Sequence, residues 1–245
     1  MGCPDKTIEK QLAGAAMIKN PQLAREIVRA AKRGVKAAGR EIPISVKTRL
    51  GYNKDELETW LPELLAEDLS AVTIHARTRK EMSKVPARWE RIKRAVEIRN
   101  ELKSKTLILG NGDVESVADA IKKCKESGAD GAMIGRGMFG NPLIYSGVAR
   151  EEIPIKDRLA MLVEHTKLFS EKFCVPENVY PIKSSTTVEG AKGAFNWVKS
   201  FAIMKKHYKA YLDGLSGAKE LRMKLMEAKD ADDVEKIVEE YLDSI

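Results

Sequence analysis

Two glycine-rich segments have the composition of a phosphate-binding site. Gly110-Asn111-Gly112-Asp113 and Gly135-Arg136-Gly137 each follow a short apolar run. Because glycine has no Cβ, its backbone N–H groups can approach a ligand closely, and the guanidinium of Arg136 can add a charge-assisted hydrogen bond to a phosphate. A single glycine pair also suits an ordinary turn, but two pairs after consecutive runs indicate a phosphorylated cofactor.

Polar residues also end the two apolar runs that come earlier in the chain. Lys47 ends the first run, and His75-Ala76-Arg77 ends the second. The carboxyl ends of parallel strands meet at one edge of an α/β barrel, and reactive groups collect there. Contact with water explains any one polar strand end, whereas four in succession favour a functional rim.

Cys3, within Gly2-Cys3-Pro4, is a further candidate because a thiol can take part in catalysis. A lone cysteine is more often a small hydrophobic residue without a reactive role, and the residue type by itself favours that interpretation. Cys124 lies in a predicted helix and Cys174 near the end of another, and both are interpreted as structural. None of the three has CxxC spacing, so we predict neither a disulfide framework nor a metal site.

The elements that must position these residues alternate between strands and helices. Residues 8–38 have a helical pattern that breaks near Pro21. Predicted strands cover 42–47, 71–75, 106–109 and 131–134, and they are followed by predicted helices over 55–67, 88–102, 114–127 and about 141–149. Four strand–helix units with continuously apolar strands predict a parallel sheet covered on both faces. This alternation of short strands and helices is typical of a (β/α)8 barrel, although a doubly wound sheet has the same alternation.

The strand signal stops after residue 155. The remaining helical patterns cover 156–173, 187–212, 217–228 and 231–243, with Gly214 and Gly217 between the central two. Such a run of helices predicts an all-α bundle. We therefore predict an α/β domain over residues 1–153 and a helical domain over residues 154–245.

The charge balance is basic, with 43 Lys and Arg against 36 Asp and Glu, a net charge of +7 and a pI near 9.2. This surplus is compatible with a polyanionic partner such as a nucleic acid, although many proteins simply have a solvated basic surface. No run approaches the roughly 18 apolar residues that a membrane-spanning helix needs, and the first residues do not resemble a secretory signal. We predict a cytoplasmic protein that does not contact a membrane.

Taken in chain order, these segments resemble the tRNA-dihydrouridine synthase family. The segment with Gly2-Cys3-Pro4 and residues 12–18 is similar to the catalytic-cysteine segment of that family. Residues 46–51 resemble its strand with a flavin-contacting lysine, and residues 73–79 resemble its HGRT-type segment. Residues 110–113, 133–137 and 140–142 look like its paired flavin-phosphate loops, and residues 204–208 and 217–222 resemble its helical RNA-binding domain.

The resemblance implies an FMN-dependent reduction of uridine in tRNA to 5,6-dihydrouridine. In that reaction reduced FMN passes a hydride to C6 of a flipped-out uridine, a cysteine thiol protonates C5, and NADPH reduces the flavin again. By matching position, Cys3 is the proton donor. The implied cofactor contacts are Lys47, His75, Asn111, Gly112, Asp113, Gly135 and Arg136, and the residues expected to contact tRNA are Lys6, Arg77 and Arg79.

The sequence departs from the family at its start, because the family has four strands before its Gly-Cys-Pro motif and here Met1 directly precedes it. We therefore expect a partial (β/α)8 TIM barrel of about four C-terminal βα units, followed by the helical bundle. Half a barrel leaves unpaired sheet edges. We expect the chain alone to fold poorly, to self-associate, or to pair with a second chain that completes the barrel.

Two other interpretations remain open from the sequence. The chain could be a truncated, non-catalytic remnant whose basic helical domain still binds RNA. FMN barrels that act on free pyrimidines share the paired phosphate loops, but they do not need a basic helical domain and lack this Gly-Cys-Pro context. Ala76 replaces the usual glycine of the family, and residues 82–85 replace a segment in which Tyr and Gly are common, which affects the expected substrate loop.

Overall fold

Parallel strands alternate with helices in the first part of the chain. The structure is a computed structural model and describes residues 1–174 and 199–245. By its internal contacts the chain divides into two units, Met1–Gly137 and Met138–Ile245. This division falls earlier in the chain than the domain boundary after residue 153, which stays a prediction.

A four-stranded parallel sheet lies at the centre of the first unit. Its strands are β1 Ser45–Arg49, β2 Ala71–His75, β3 Leu107–Asn111 and β4 Gly131–Met133, in the order β1-β2-β3-β4. All three neighbouring pairs are parallel. The predicted α/β class with a parallel sheet is therefore confirmed, and the relation of this sheet to a complete barrel stays a prediction.

The first strand begins later than the sequence pattern predicts. A strand was expected over 42–47, but the pairing of β1 with β2 begins at Ser45. Pro43 has no N–H group to donate to a neighbouring strand, and Ile42 is 52% exposed. The end of β1 also lies later than predicted, because the strand continues to Arg49. This arginine, rather than Lys47, is its last residue.

Five helices accompany the sheet: α1 Lys6–Lys10, α2 Pro21–Ala37, α3 Leu57–Leu65, α4 Trp89–Glu101 and α5 Val117–Ser127. The predicted helical stretch before β1 is broken by a 3-10 helix, Gly14–Lys19. The side chain of Asn20 then accepts a hydrogen bond from the Leu23 N–H and starts α2, with Pro21 at its first position. Both features are typical of helix N-termini.

One face of the sheet is buried and the other is open. Val46, Val72, Ile74 and Ile108 pack in one core with the apolar side of α3, which includes Trp60, Leu61 and Leu64. Successive side chains of a strand point to opposite faces, so the alternate residues form the second face. We call this second face, which includes Lys47, Leu107 and Met133, the open face, because these three residues are exposed.

The second unit is helical. Its helices are α6 Ile155–Phe169, α7 Ala202–Leu212, α8 Ala218–Glu227 and α9 Ala231–Leu242, with a π-helical turn, Ser170–Cys174, after α6. Leu159, Leu162, Met204, Tyr208 and Val234 form its core. The predicted helix over 187–212 lies outside the described residues as far as residue 198.

The helix predicted near 141–149 is wrong. In its place the chain forms a single 3-10 turn, Ile144–Ser146, and another, Arg150–Glu152, follows it. Gly140 and Gly147 have positive φ angles of 72° and 81°. Backbone in this left-handed region cannot continue a right-handed helix, and the apolar spacing could not reveal these two interruptions.

Within the two described ranges, no helix is both long and apolar enough to cross a bilayer. The same residues contain no group of three or more His, Cys, Asp or Glu side chains placed to bind a metal ion.

Candidate active site

A row of four residues crosses the open face at the carboxyl edge of the sheet. Arg49 of β1 is in register with His75 of β2, His75 with Asn111 of β3, and Asn111 with Met133 of β4. Lys47 lies two residues before Arg49 and therefore belongs to the same face. The register brings together strand ends that are far apart in the sequence.

A cavity of about 410 Å³ lies at this edge, within the range of roughly 300–1,000 Å³ that is usual for small-molecule sites. Its lining consists of His75, Arg77, Ser83, Asn111, Gly112, Asp113, Val114, Glu115, Gly135, Arg136 and Gly137. All of the predicted cofactor-binding residues except Lys47 are in this set, and so is Arg77. Cys3, Lys6 and Arg79 are not.

His75 is held as a neutral imidazole. Nη1 of Arg77 lies 3.0 Å from Nε2 of His75. Because a guanidinium can only donate, Nε2 must accept and the proton of the neutral ring is on Nδ1. Burial, followed by the positive charges of Arg49, Lys47 and Arg77, lowers the pKa of His75 to about 3. The ring is therefore uncharged at neutral pH.

Arg77 is buried behind His75, and its side chain is only 3% exposed. Its guanidinium also donates to the Val85 carbonyl and forms an ion pair with Asp113. To contact RNA directly, it would have to leave all three partners. The contact with tRNA stays a prediction, while the observed contacts favour a supporting role.

Asp113 connects the two glycine-rich loops. Its Oδ2 pairs with Arg77 and accepts a hydrogen bond from the Ala87 N–H at 2.8 Å, while its Oδ1 lies 2.9 Å from Nη2 of Arg136. The hydrogen bond from Arg77 is the main reason that the pKa of the Asp113 carboxyl is lowered. Asp113 is therefore a carboxylate at neutral pH, with cations on both of its oxygens.

The glycines of the two loops have different roles. Gly112 has φ +117°, and a Cβ there would lie 3.0 Å from the His75 ring. At Gly135 the nearest atom to an added Cβ is Nδ2 of Asn111, at 3.9 Å, so this glycine faces open space. Gly110 instead makes room for Trp89, whose ring would lie 2.4 Å from an added Cβ. Close approach to a ligand is therefore supported at Gly135, whereas Gly110 makes room for Trp89 and Gly112 for Ala87 and His75.

The segment with Cys3 is fixed beside the carboxyl end of β1. Nε of Arg49 donates to the Gly2 carbonyl at 2.9 Å, and the Ala15 N–H donates to the Cys3 carbonyl at 2.9 Å. Gly14, with φ +61°, lets the chain pass so closely that an added Cβ would lie 2.6 Å from the Cys3 carbonyl oxygen. The backbone of Cys3 is anchored on both sides, and the residue itself is exposed.

Arg49 was not singled out as a site residue from the sequence. It is 8% exposed, and besides Gly2 its guanidinium donates to the carbonyls of Thr78 and Met82, at 3.1 and 3.2 Å. Within the described residues, no carboxylate forms an ion pair with it. Burial lowers the pKa of Arg49 below the usual arginine value. The alternation of Lys47 and Arg49 on one face was the signal available in the sequence.

Lys47 adds a second cation to the open face. The pKa of its ammonium group is lowered, first by desolvation and then by the charge of Arg49. Because the residue as a whole is exposed, solvent screening keeps such a shift modest. Lys47 therefore remains a positive charge that a ligand on this face could approach.

The other two residues predicted to contact tRNA lie outside the cavity. Arg79 donates from Nε to Glu9 at 2.6 Å, and its guanidinium carbon is 5.2 Å from the centroid of the Tyr52 ring. Lys6 is the first residue of α1 and is exposed. Both lie in or contact the segment that follows Cys3, and their roles stay predictions.

We expect His75 to remain neutral, with its proton on Nδ1, as the pH is lowered through the usual histidine range of about 5 to 8. Nitrogen-detected NMR of the imidazole groups measures this, and His75→Gln assigns the signal. Below about pH 6.5 the unfolded chain takes up a proton that folded His75 refuses, so this residue should reduce stability by up to about 1.4 kcal/mol per pH unit. A midpoint near 6.5 for His75 would contradict the neutral imidazole that its burial and its contact with Arg77 imply.

Known proteins were compared with the whole chain. The family model described as dihydrouridine synthase (Dus) matches residues 1–245. The probable tRNA-dihydrouridine synthase of Staphylococcus aureus is 34% identical over 242 residues, which cover 98% of this chain and 65% of the relative. The probable tRNA-dihydrouridine synthase 2 of Bacillus subtilis is 35% identical over 250 residues, covering 100% of this chain and 68% of the relative. The chain thus spans about two thirds of the length of these curated relatives.

Proposed function

The chain belongs to the dihydrouridine synthase family, and from this premise we propose that it reduces uridine in tRNA to 5,6-dihydrouridine. FMN is the proposed cofactor and NADPH the proposed reductant. The observation that carries the proposal is the row formed by Arg49, His75 and Asn111, beside a cavity lined by the two glycine-rich loops.

The residues present fit the phosphate of FMN. Gly135 leaves open space where a side chain would otherwise stand, and Arg136 is a cation with a side chain that is 65% exposed. Backbone N–H groups without a neighbouring Cβ and an arginine are the usual partners of phosphates. Asn111 and Gly112 would line the same part of the cofactor.

The cations of the open face would hold the flavin ring. Lys47 and Arg49 place two positive charges beside the neutral His75. Positive charge near the polar edge of a flavin favours its anionic reduced form. When bound and reduced, FMN supplies the hydride for C6 of uridine. His75 offers a donor at Nδ1 and carries no charge that would oppose the cofactor.

Cys3 is the proposed proton donor to C5 of uridine. Its thiol belongs to an exposed residue on a segment whose backbone is anchored to Arg49 and Ala15. A thiol carries a proton that a general acid can donate. Anchoring of the Gly2 and Cys3 carbonyls would limit the positions that the thiol can reach.

For tRNA, we propose contacts with Lys6 and Arg79 near Cys3 and with exposed lysines of the helical unit, such as Lys206 and Lys209 of α7. A uridine must leave its base stack to reach the flavin, which costs a few kcal/mol and least where the RNA is already unpaired. In this proposal Arg77 supports His75 and Asp113 from behind, because it is buried. A cytoplasmic location would suit the three free cysteines, because thiols stay reduced there.

We further propose that the sheet is part of a (β/α)8 TIM barrel. The outer strands of the four-stranded sheet, β1 and β4, each have one unpaired edge among the described residues. Leu107 and Met133 on the open face are 49% and 37% exposed, although parallel sheets are normally covered on both faces. Additional strands, from the same protein, a second chain or a second copy, would cover this face.

Expression of the chain in a host strain that lacks dihydrouridine synthases tests the proposed function. We expect dihydrouridine to appear in tRNA digests analysed by mass spectrometry. Flavin absorbance and size-exclusion chromatography of the purified protein report the cofactor and any self-association. A chain that binds tRNA but contains no flavin and forms no dihydrouridine would instead be a non-catalytic RNA-binding protein.

A further inference from the structure

The carboxylate of Asp113 lies within the cavity where the phosphate of the cofactor is expected. Arg77 contacts its Oδ2, and Arg136 contacts its Oδ1. The two arginines differ in their freedom, because Arg77 is 3% exposed and has three partners, whereas the side chain of Arg136 is 65% exposed. Asp113 is thus fixed through Oδ2, and among the described residues its Oδ1 is the one side-chain partner of Arg136.

An anion that enters this cavity competes with Asp113 for Arg136. The contacts of Arg77 and Ala87 with Oδ2 can persist when Arg136 turns away. When Arg136 rotates, it therefore exchanges Oδ1 of Asp113 for a phosphate oxygen. The contacts of Oδ2 with Arg77 and Ala87 do not change. The ion pair is exposed enough that breaking it requires little free energy.

We propose that Asp113 is an internal counter-ion that holds Arg136 while the anion site is empty, and that it weakens phosphate binding by competing for this arginine. The inference rests on the proposed function, in which the anion is the phosphate of FMN. The two oxygens of this carboxylate then have opposite roles. Oδ2 holds Arg77 in place, whereas Oδ1 competes with the phosphate for Arg136.

The variant Asp113→Asn tests the role of Oδ1 apart from that of Oδ2. Asparagine tolerates the left-handed backbone of this residue, with φ 49°, as well as aspartate does. Its amide oxygen can replace Oδ2 and accept from both Arg77 and Ala87, while its NH2 group faces Arg136 and cannot accept from it. The matched control is Glu115→Gln. Glu115 is exposed and lines the same cavity, but no ion pair links it to a cation in the described part of the chain.

Binding of FMN and of riboflavin, which lacks the phosphate, is measured by quenching of flavin fluorescence with the full chain. We expect Asp113→Asn to bind FMN about fivefold more tightly, the fold-change that corresponds to roughly 1 kcal/mol for an exposed ion pair. Riboflavin affinity should stay the same, Glu115→Gln should change FMN affinity less, and the gain should shrink when Arg136→Gln is also present.

Equal or weaker FMN binding by Asp113→Asn would overturn the inference, as would an equal gain for Glu115→Gln. Inorganic phosphate is the second probe, titrated against the guanidinium NMR signal of Arg136. If no variant binds FMN but phosphate binds more tightly to Asp113→Asn, the counter-ion stands and the flavin assignment is wrong. If no variant binds FMN and phosphate binds equally to the wild-type protein and to Asp113→Asn, the counter-ion inference is wrong.

Discussion

Replacing Cys3 with alanine is expected to lower the rate of uridine reduction by about 10²- to 10⁴-fold, the usual contribution of a positioned general acid. Alanine cannot donate a proton, while the carbonyls of Gly2 and Cys3 keep their partners, Arg49 and Ala15. Flavin affinity should be unchanged because Cys3 does not line the cavity. Dihydrouridine formation in single-turnover reactions with prereduced flavin measures the effect.

Cys124→Ala is the matched control for this loss of a thiol. Cys124 lies in α5, and burial raises the pKa of its thiol, which makes it a weak candidate for proton transfer. We expect that variant to retain full activity. A Cys3→Ala protein that reduces uridine at the wild-type rate would remove Cys3 from the mechanism, whereas equal losses in both variants would indicate general damage to the protein.

The part of this site that follows from strand rhythm could be predicted from the sequence. Each apolar run ends at a polar residue, and parallel pairing aligns those ends, so His75 and Asn111 become neighbours. The loops with Gly112 and Gly135 follow the last two strands and necessarily lie at the same edge. Nothing beyond short-range patterns and the geometry of parallel sheets is needed for this prediction.

The contacts of the arginines could not be predicted in this way. Arg77 is two residues beyond His75 and outside the strand, so alternation does not determine its direction. Its inward position depends on Asp113, which is 36 residues away. Arg49 likewise donates to carbonyls that are 29 to 47 residues away. Every residue has a backbone carbonyl, so the sequence does not indicate which carbonyls accept these hydrogen bonds.

The same limitation applies to Gly110. The sequence offers the same glycine pair for both loops, but Gly110 is required by the packing of Trp89 and Gly112 by the ring of His75. The indole Nε1 of Trp89 also donates to the Gly112 carbonyl at 2.9 Å. A glycine that makes room for a side chain and one that faces open space, such as Gly135, have the same appearance in the sequence.

Replacing Arg49 with methionine is expected to lower uridine reduction about 100-fold, because misplacing a reacting group by about 1 Å can have an effect of that size. The side chain of methionine fills part of the same volume but leaves the carbonyls of Gly2, Thr78 and Met82 without their donor. The Cys3 segment would lose its anchor beside β1. Reduction of bound flavin by NADPH should fall less, because Lys47 still places a positive charge on the open face, and the two half-reactions can be timed separately by stopped-flow absorbance.

Two comparisons separate positioning by Arg49 from simple loss of stability. Arg25→Met removes an arginine that bonds Glu63 and Glu67 in the same unit, away from Cys3, and it should leave the ratio of the half-reactions unchanged. In a Cys3→Ala background, Arg49→Met should have little further effect on uridine reduction, because residues that act as one unit are not additive. If the two losses simply multiplied, Arg49 would act independently of Cys3, through the charge that it places on the open face.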